Sequence, residues 1–355
     1  MIRKISPWLY RYQHFNPIHC IIPPYMAESI IKKGDDELKT WAINTLMVSE
    51  EFRGRRRAIG SLAALAIPAG GKRRTVYDAR NSEELPGVVV RREGEPRTGD
   101  DAVNEAYDGA GATYDLYYEE YGRNSIDDKG MSLDSTVHFG EKYDNAFWNG
   151  TQMVYGDGDG RLFNRFTIAL DVIGHELTHG VTQHEANLLY QGEPGALNES
   201  FSDVFGILTK QRILKQNADK ADWIIGAGLF TKNVKGAGIR SMKEPGKAYD
   251  DPVLGKDPQP DHYDNLYKGS ADNGGVHINS GIPNRAFYLA AMEIGGFAWA
   301  QAGKIWYHTL IDHLGSRADF KRAAQAFERV AGELYGEKSI EQKAVKSGWK
   351  QVGVI

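Results

Sequence analysis

Hydrophobic residues are distributed differently in the two halves of the chain. Between residues 75 and 152, strand-like runs such as 88–90 and 135–139 alternate with turns, and one stretch near 102–121 has helical spacing. Beyond Leu188 the apolar residues recur at the spacing of a helix face. The pattern predicts an α+β protein with a β-rich N-terminal lobe and a helical C-terminal lobe. The helices predicted in the second lobe cover 199–211, 282–294, 299–313 and 318–335.

The first 74 residues differ from the rest in charge. They carry 13 Lys and Arg against 6 Asp and Glu, whereas the whole chain has a formal net charge of −4. This asymmetry predicts two functional pieces. Helices are expected over 27–33 and 36–52, followed by an exposed basic tract at 53–57. The tract lacks the aromatic context of a nucleic-acid site, so no nucleic-acid partner is predicted. Either it is only a mobile connector or, as we favour, it is a processing junction, because proteases cut exposed mobile segments.

Neither a membrane span nor an intramolecular disulfide is predicted. The apolar stretch 58–69 is internal, is interrupted by Gly60 and Pro68, and is too short to cross a bilayer. No charged-then-apolar secretory pattern precedes Pro7. Because Cys20 is the only cysteine, the fold is expected to be held by its hydrophobic core.

The stretch His175-Glu176-Leu177-Thr178-His179 carries the clearest chemical signal. On a helix, two histidines four positions apart share a face and can bind one metal ion, with Glu176 beside them as a general base. The flanking sequence has helical spacing and contains no proline, which favours a helix. Such a histidine pair also occurs as ordinary core or surface residues, so a third ligand is needed.

A second predicted helix supplies candidate carboxylates. Glu199 and Asp203 are again four positions apart. Two histidines and a glutamate are a known ligand set for catalytic zinc, which keeps its fourth position for water. His175, His179 and Glu199 would form this set, and Asp203 is the candidate hydrogen-bond partner of His175. The alternative for Asp203 is a helix cap or a surface ion pair.

Two loops add further candidates. In 272–281 a pair of glycines predicts a turn, and Asp272 precedes His277, which it could orient as a proton shuttle. On these residues alone, a purely structural role for His277 is equally compatible. The run 155–160 is rich in glycine and aspartate, but it lacks the spaced ligands and closing glutamate of an EF-hand. A tight turn is therefore expected there.

In this order and spacing, the motifs resemble the thermolysin family of neutral zinc metalloproteases, and the resemblance covers nearly all of the chain from about Thr75. The short N-terminal segment with its paired prolines, Pro23 and Pro24, resembles the propeptide of protealysin-like members. The resemblance rests on the segment 145–148, the motif 175–179, Glu199 at 24 positions beyond His175, the segment 240–242 and the loop 274–281.

The resemblance implies a two-lobe fold with the zinc helix at the cleft, and a zinc-dependent endopeptidase made as a proenzyme. One zinc ion would be bound by His175, His179 and Glu199, and Glu176 would be the catalytic base. His277 and Tyr190 would bind the tetrahedral intermediate, and Asp272 would orient His277. Asn145 and Ala146 would bind the substrate backbone, and Arg240 would bind its carbonyl group.

The resemblance also implies a hydrophobic preference for the residue after the scissile bond. An apolar pocket discriminates by only about 1–3 kcal/mol per methylene, so broad cleavage of polypeptides is expected. Ordinary core packing is the alternative role for each pocket residue. The pocket residues implied are Phe163, Phe166, Val172, Ile225, Leu229 and Ile239.

These inferences divide the chain into a propeptide (1–56), a β-rich catalytic lobe that includes the zinc helix (57–187) and a helical lobe (188–355). The propeptide is expected to inhibit its own enzyme. Two mechanisms are open: the extended segment at Pro23 occupies the cleft, or the Cys20 thiolate binds zinc. The rival interpretation of the whole chain is an inactive zinc-binding module. Glu176 argues against it, since structural zinc is normally closed by four protein ligands.

The sequence keeps few of the residues that would bind calcium. At positions matching the paired calcium site of thermolysin, Asp171 and Asp222 are kept, but Lys210, Ile224 and Ala227 stand where carboxylates are needed. Most or all of the family's calcium sites are therefore expected to be lost.

The family is mostly secreted, so secretion without a recognisable signal peptide is expected, with residence in the cytoplasm as the alternative.

Overall fold

A computed structural model describes residues 19–59 and 71–355, with only the backbone of residue 19 and of residues 53–59. The N-terminus before Pro7 and most of the apolar stretch 58–69 lie outside the described residues. Within the part of the chain that is described, no helix is long and apolar enough to cross a membrane.

The N-terminal lobe is built on a six-stranded mixed sheet with the order β1-β5-β6-β4-β2-β3. β2, β4 and β6 run parallel, while β5, β3 and the edge strand β1 are antiparallel to their neighbours. Two short ribbons, β7–β8 and β9–β10, lie in the second lobe. The strands are β1 (His19–Cys20), β2 (Arg74–Asp78), β3 (Val88–Arg92), β4 (Leu133–Val137), β5 (Ala146–Trp148), β6 (Met153–Tyr155), β7 (Ile224–Ile225), β8 (Arg240–Ser241), β9 (Asp250–Asp251) and β10 (Gly255–Lys256).

Helices dominate the second lobe, which confirms the predicted two-lobe α+β architecture. The α-helices are α1 (Pro24–Lys33), α2 (Asp36–Ile59), α3 (Asp101–Asp115), α4 (Leu170–His184), α5 (Gly192–Leu214), α6 (Ala271–Asn279), α7 (Gly281–Ile294), α8 (Gln301–His308), α9 (Phe320–Tyr335) and α10 (Ile340–Gln351). The helix predicted over 102–121 ends in a π-helical turn, Leu116–Glu120, and the one over 299–313 ends in another, Thr309–His313.

Two helix predictions need correction. The helix expected to end at Phe52 continues to Ile59, so the backbone of the basic tract is helical. Arginine is a good helix former and the single Gly54 costs only about 1 kcal/mol, so nothing stops the helix there. The sequence reasoning also missed α10, whose apolar side includes Val345 and Trp349.

Two glycines allow α4 and α5 to pack unusually closely. A Cβ atom on Gly174 would lie 3.0 Å from the Cα of Gly206, and one on Gly206 would lie 2.3 Å from the carbonyl oxygen of Asp171. Any larger residue would push the helices apart. Because His175 follows Gly174 directly, this contact sets how far the histidines of α4 lie from the carboxylates of α5.

The N-terminal segment packs on both sides of the cleft. Ser29 in α1 donates to the Val253 carbonyl at 2.8 Å. In α2, Ser49 is hydrogen-bonded to the hydroxyl of Tyr143 at 2.9 Å, and the ring of Phe52 lies 5.5 Å from that of Phe139. The segment is thus joined to the helical lobe by a hydrogen bond and to the β-rich lobe by buried polar and aromatic contacts.

The run 155–160, in which a tight turn was expected, instead leaves β6 at Tyr155 and continues as an irregular loop that bends at Gly160. Asp159 Oδ1 accepts from the backbone N–H groups of residues 161–163. Asp157 is bonded instead to His138 Nδ1 at 2.8 Å, and Asp100, the N-cap of α3, is bonded to His138 Nε2 at 2.8 Å. The Asp157 hydrogen bond, with that of Asp100, raises the pKa of His138 to about 9 despite its partial burial. This charged histidine ties α3 to the sheet.

Candidate active site

Three side chains from α4 and α5 converge in the interior between the lobes. His175 and His179 lie one turn apart on α4, and their Nε2 atoms are 3.0 Å from each other. Glu199 on α5 has Oε2 at 3.5 Å from His175 Nε2 and Oε1 at 3.4 Å from His179 Nε2. All three side chains are fully buried. Among the described residues, they form the cluster whose ligand atoms could hold a metal ion.

Hydrogen bonds at the opposite ring nitrogens orient both histidines. His175 Nδ1 lies 2.8 Å from Asp203 Oδ1, and His179 Nδ1 lies 2.8 Å from Asn198 Oδ1. A proton donated from Nδ1 to these acceptors leaves a lone pair on each Nε2. Two lone pairs 3.0 Å apart repel each other unless a cation lies between them.

The cluster fits zinc in donor type and spacing. Tetrahedral zinc with bonds of about 2.0–2.2 Å to nitrogen and oxygen requires ligand atoms roughly 3.3 Å apart. The two histidine Nε2 atoms are 3.0 Å apart and Glu199 Oε2 lies 3.5 Å from His175 Nε2, so these separations bracket that value. Glu199 Oε2 is buried and has no hydrogen-bond partner within the described structure, as is expected of an oxygen that faces a metal ion.

Glu176 lies beside the cluster and is fully buried. Its Oε2 accepts from the backbone N–H of Trp148 in β5 at 3.2 Å. The carboxylate is thereby fixed between the helix that carries the histidines and the edge of the sheet. A carboxylate in this position can exchange a proton with a group bound at the cluster.

Asp203 connects the cluster to the rest of the second lobe. Besides His175, its carboxylate accepts two hydrogen bonds from Arg240, at 2.7 and 2.8 Å, and one from Asn284 at 2.8 Å. Burial alone would raise the pKa of Asp203, but Arg240 and His175 hold it well below its usual range. Asp203 therefore remains charged and fixes both the histidine and the guanidinium.

The loop before His277 has the geometry that its glycines predict. Gly274 and Gly275 have φ of 80° and 81°, and a Cβ on Gly275 would lie 2.6 Å from the ring of Tyr267. Asp272 accepts from the His277 backbone N–H at 2.8 Å and lies 2.6 Å from its Nδ1. The turn folds the carboxylate back onto the histidine and aims Nε2 at the cluster.

Two potential donors face the same side of the cluster. Tyr190 Oη lies 3.2 Å from His277 Nε2 and donates to Glu199 Oε1. Burial and the charge of Glu199 raise the pKa of Tyr190 well above its usual value, so the phenol keeps its proton. Burial would lower the pKa of His277, but Glu199 and Asp272 outweigh it and raise the pKa.

The N-terminal segment lies in the cleft beside these groups. β1 pairs antiparallel with β5 and extends the sheet by one strand. The Ile21 N–H donates to the Ala146 carbonyl at 3.2 Å, and the Ile22 N–H donates to Asn145 Oδ1 at 3.0 Å. The segment is thus bound through its backbone, as an extended peptide is bound at a sheet edge.

The carbonyl groups of the same segment contact the other lobe. The Cys20 carbonyl oxygen lies 3.1 Å from His277 Nε2, and Arg240 donates to the Ile21 carbonyl at 3.2 Å. The residues predicted to bind substrate thus surround residues 20–22.

The six predicted pocket residues are all buried in the main apolar core, which extends through both lobes. Ile21 and Ile22, 0% and 4% exposed, belong to the same apolar cluster. This cluster contains Phe163, Phe166, Val172, Ile225, Leu229 and Ile239, all of them buried.

The Cys20 side chain belongs to a different cluster, with Phe52, Phe139 and Phe147. Among the described residues, the group of potential metal ligands does not include Cys20. This arrangement favours occupation of the cleft over thiolate binding to zinc.

Lys210 occupies the position where the family's calcium site was expected to be lost. Its ammonium lies 3.2 Å from Asp171 Oδ2, 2.9 Å from Asp222 Oδ2 and 3.1 Å from the Ile224 carbonyl. Burial would lower the pKa of Lys210, but the two carboxylates outweigh it and raise the pKa. The ammonium group of Lys210 thus neutralises both carboxylates at this position.

Sequence reasoning missed several residues that support the site. Asn198 and Ser202 both contact His179 Nδ1, and their positions beside Glu199 on α5 were a usable signal. Gln259 donates to the His277 carbonyl at 2.7 Å, and Asn284 donates to Asp203. Nothing in the sequence pattern connects either of these two with the metal motif, because the fold brings them there.

Comparison with known protein families divides the chain into two matching regions. Residues 70–183 match the model of the thermolysin metallopeptidase catalytic domain. Residues 186–354 match that of the thermolysin metallopeptidase alpha-helical domain. The boundary between them follows α4, so the two histidines belong to the first region and Glu199 to the second.

Individual relatives match over nearly the whole chain. An extracellular metalloprotease of Pectobacterium carotovorum is 49% identical over 345 residues, which are 95% of this chain and 97% of the relative. Protease PrtS of Photorhabdus is 48% identical over 94% of this chain and 91% of its own length. The solved structure of the precursor of protealysin, a metalloproteinase from Serratia proteamaculans, is 50% identical, with a TM-score of 0.87, and covers 95% of this chain and 100% of that one.

If His175 and Glu199 bind the metal ion and Glu176 does not, variants of these three residues should differ in their metal content. We expect His175→Ala and Glu199→Ala to abolish zinc retention, because each removes one of three ligands. Glu176→Gln is expected to retain zinc, since Glu176 is not in the ligand cluster. Metal analysis of the purified proteins measures this directly. Loss of zinc from Glu176→Gln as complete as from Glu199→Ala would show that Glu176 is a ligand.

Proposed function

The chain belongs to the thermolysin family of metallopeptidases, and we propose that its own N-terminal segment keeps it latent by occupying the cleft in the manner of a substrate. It is a zinc metalloendopeptidase made as a proenzyme, as its similarity to named metalloproteases and to a protealysin precursor supports. The observation that carries the catalytic proposal is the convergence of two buried histidine Nε2 atoms and Glu199 beside Glu176.

In the proposed mechanism, His175, His179 and Glu199 hold the zinc ion and Glu176 is the general base. A zinc ion bound there supplies Lewis acidity and lowers the pKa of a water molecule toward neutrality. Glu176 takes a proton as water attacks the peptide carbonyl carbon, and it then delivers a proton to the departing amine. The hydrogen bond from the Trp148 N–H supports this role, because it orients the carboxylate without neutralising it.

His277 and Tyr190 stabilise the oxyanion that develops on the attacked carbonyl. Both can donate: the phenol keeps its proton, and the raised pKa of His277 favours its protonated form. Asp272 orients His277 through its Nδ1 and its backbone N–H. Asn145, Ala146 and Arg240 bind the substrate backbone, by analogy with their contacts to residues 21 and 22.

The residue after the scissile bond is preferentially hydrophobic. This is supported by Ile21, which is bound through its backbone by Ala146 and Arg240 and is fully buried in the apolar core that also contains the six implied pocket residues. A charged residue in that position would lose its hydration without gaining a partner.

The N-terminal unit, residues 1–56, acts as the intramolecular inhibitor of a two-lobe enzyme formed by 57–187 and 188–355. Support comes from the backbone hydrogen bonds of residues 20–22 and from the extended conformation of Pro23, with φ −66° and ψ 146°.

The enzyme acts on polypeptides outside the cell, as the name of its Pectobacterium relative suggests. It acts without a nucleic-acid or membrane partner.

Calcium is not needed at the site of Lys210. The ammonium already neutralises Asp171 and Asp222, and a calcium ion would have to displace it.

Catalysis is tested with casein and the matured enzyme. Relative to wild type, we expect Glu176→Gln to lower turnover by about 10²–10⁴-fold. We expect His277→Ala to lower it by about 10²–10³-fold, and less than Glu176→Gln does. A chelator should abolish wild-type activity and zinc should restore it. His308→Ala on α8 is the matched histidine control and should behave as wild type.

Because Glu176→Gln is not expected to mature itself, all variants are processed with tagged wild-type enzyme that is then removed. Wild-type turnover that survives both the chelator and Glu176→Gln would contradict the mechanism.

Latency is tested by substitutions in the N-terminal segment. If the segment inhibits by occupying the cleft, Cys20→Ser should stay latent, because the thiol packs among aromatic rings. Joint substitution of Pro23, Pro24 and Tyr25 should release activity. The initial rate on a short peptide substrate, taken before any processing, measures both. Constitutive activity of uncleaved Cys20→Ser would instead favour thiolate binding to zinc.

Calcium independence is tested by thermal unfolding of Glu176→Gln, which avoids self-digestion. Millimolar calcium should leave its Tm unchanged, because a ligand raises Tm only by binding the folded state. Lys210→Ala should lower stability by about 3 kcal/mol, since it leaves the buried Asp171 unpaired. The exposed Lys232→Ala is the matched control. A rise of Tm with calcium while Lys210 is intact would show that a site remains.

A further inference from the structure

The contacts of residues 20–22 define a register relative to the catalytic groups. Passing along the backbone, the Cys20 carbonyl meets His277, the Ile21 N–H meets Ala146, and the Ile21 carbonyl meets Arg240. Successive polar groups of this backbone are therefore bound alternately by the helical lobe and by the β-rich lobe. A slip by one residue would exchange all of these partners.

This register identifies the peptide bond that lies at the chemical centre. His277 Nε2, which contacts the Cys20 carbonyl oxygen, lies 3.2 Å from Tyr190 Oη and 3.5 Å from Glu199 Oε2. The Cys20 carbonyl thus contacts one of the two proposed oxyanion donors, His277, and the other, Tyr190, lies beside that histidine, whereas the Ile21 carbonyl accepts from Arg240. We propose that the enzyme cleaves its own Cys20–Ile21 bond in cis, as an early step of maturation; this inference rests on the proposed function.

The reaction is an ordinary hydrolysis with water as the second reactant. The water oxygen bonds to the Cys20 carbonyl carbon, and the bond from that carbon to the Ile21 nitrogen breaks. Glu176 transfers one water proton to the Ile21 nitrogen, and the new Cys20 carboxyl group releases another to solvent. Ile21 satisfies the expected preference, because it is hydrophobic and is fully buried in the apolar core.

Burial determines that the cut occurs within one molecule. Cys20 and Ile21 are 1% and 0% exposed, so a second enzyme molecule has no access to the bond in the folded proenzyme. The cut also leaves the inhibitor attached. α1 and α2 keep their contacts with Val253, Tyr143 and Phe139, so the fragment that begins at Ile21 remains bound until it is removed by a later cut or by dissociation.

The experiment follows full-length protein by intact mass over a twentyfold range of concentration, with part of the incubation in H₂¹⁸O. We expect a new N-terminus at Ile21, one ¹⁸O in the Cys20 carboxyl group, and a first-order rate independent of concentration. Glu176→Gln should slow the cut by at least about 10²-fold. Ile21→Asp should slow it at least about tenfold, because a charge must enter the apolar pocket. Ile43→Asp, the same change at a residue of α2 that is 43% exposed, is the matched control and should have no effect.

A second readout is independent of turnover. In the Glu176→Gln background the bond stays intact, and Cys20 is the only cysteine available to iodoacetamide. Alkylation should be slow in the folded protein, faster after Ile21→Asp, and unchanged after Ile43→Asp. Fast alkylation of the folded Glu176→Gln protein would overturn the register, even if Ile21→Asp failed to fold.

The outcomes separate this inference from the proposed function. A wild-type chain that never acquires an N-terminus at Ile21, while its matured form digests casein, overturns the self-cleavage and leaves the enzyme function intact. A cleavage rate proportional to protein concentration overturns the intramolecular route. Absence of both the cut and casein digestion in the zinc-loaded protein overturns the proposed function as well.

Discussion

The buried carboxylate of Asp203 is the point on which the arrangement of the cleft depends. It receives hydrogen bonds from α4 through His175, from β8 through Arg240 and from α7 through Asn284. An isolated charge in this interior would cost several kcal/mol, and the full set of partners is what makes the ion pair tolerable. Because Arg240 also donates to the Ile21 carbonyl, one carboxylate fixes the orientation of a proposed metal ligand and the position of a bound peptide backbone. The chemistry and the peptide register are therefore set by the same network.

The free edge of the sheet gives the N-terminal segment its place. Without β1, β5 would be the edge strand of the sheet and would present unpaired backbone groups, which an extended peptide can satisfy. The segment uses this edge through the Ile21 N–H and then continues into α1, where Pro24 starts the helix with its φ already suitable. A peptide substrate would require the same backbone groups of β5, so the two compete for one edge. The helices α1 and α2 add contacts that a substrate lacks, which explains how so short a bound segment can remain in place.

Lys210 is an internal charge that neutralises two carboxylates. Two carboxylates, Asp171 and Asp222, converge near the start of α4 and the ribbon β7–β8, and their repulsion has to be neutralised. An ammonium group that is part of the chain neutralises the two carboxylates without the entropy cost of binding a free ion. It is also insensitive to the concentration of calcium around the protein.

The sequence by itself determined the elements and the chemical groups. The spacing of His175 and His179, and of Glu199 and Asp203, requires only the geometry of one helix, so these pairs could be predicted to share a face. The paired glycines before His277 and the loss of carboxylates around Lys210 were equally visible, because both depend on residue type at a single position. The helix end at Phe52 and the existence of α10 were not predicted correctly, since helix ends depend on weak local preferences that neighbouring elements override.

Only the tertiary structure decided the distances between α4 and α5, which follow from the contact of Gly174 with Gly206. It also decided the positions of Asn284 and Gln259, and the register that brings the Cys20 carbonyl to His277. These contacts join residues far apart in the chain, and their distances follow from how whole helices and strands pack rather than from any local pattern.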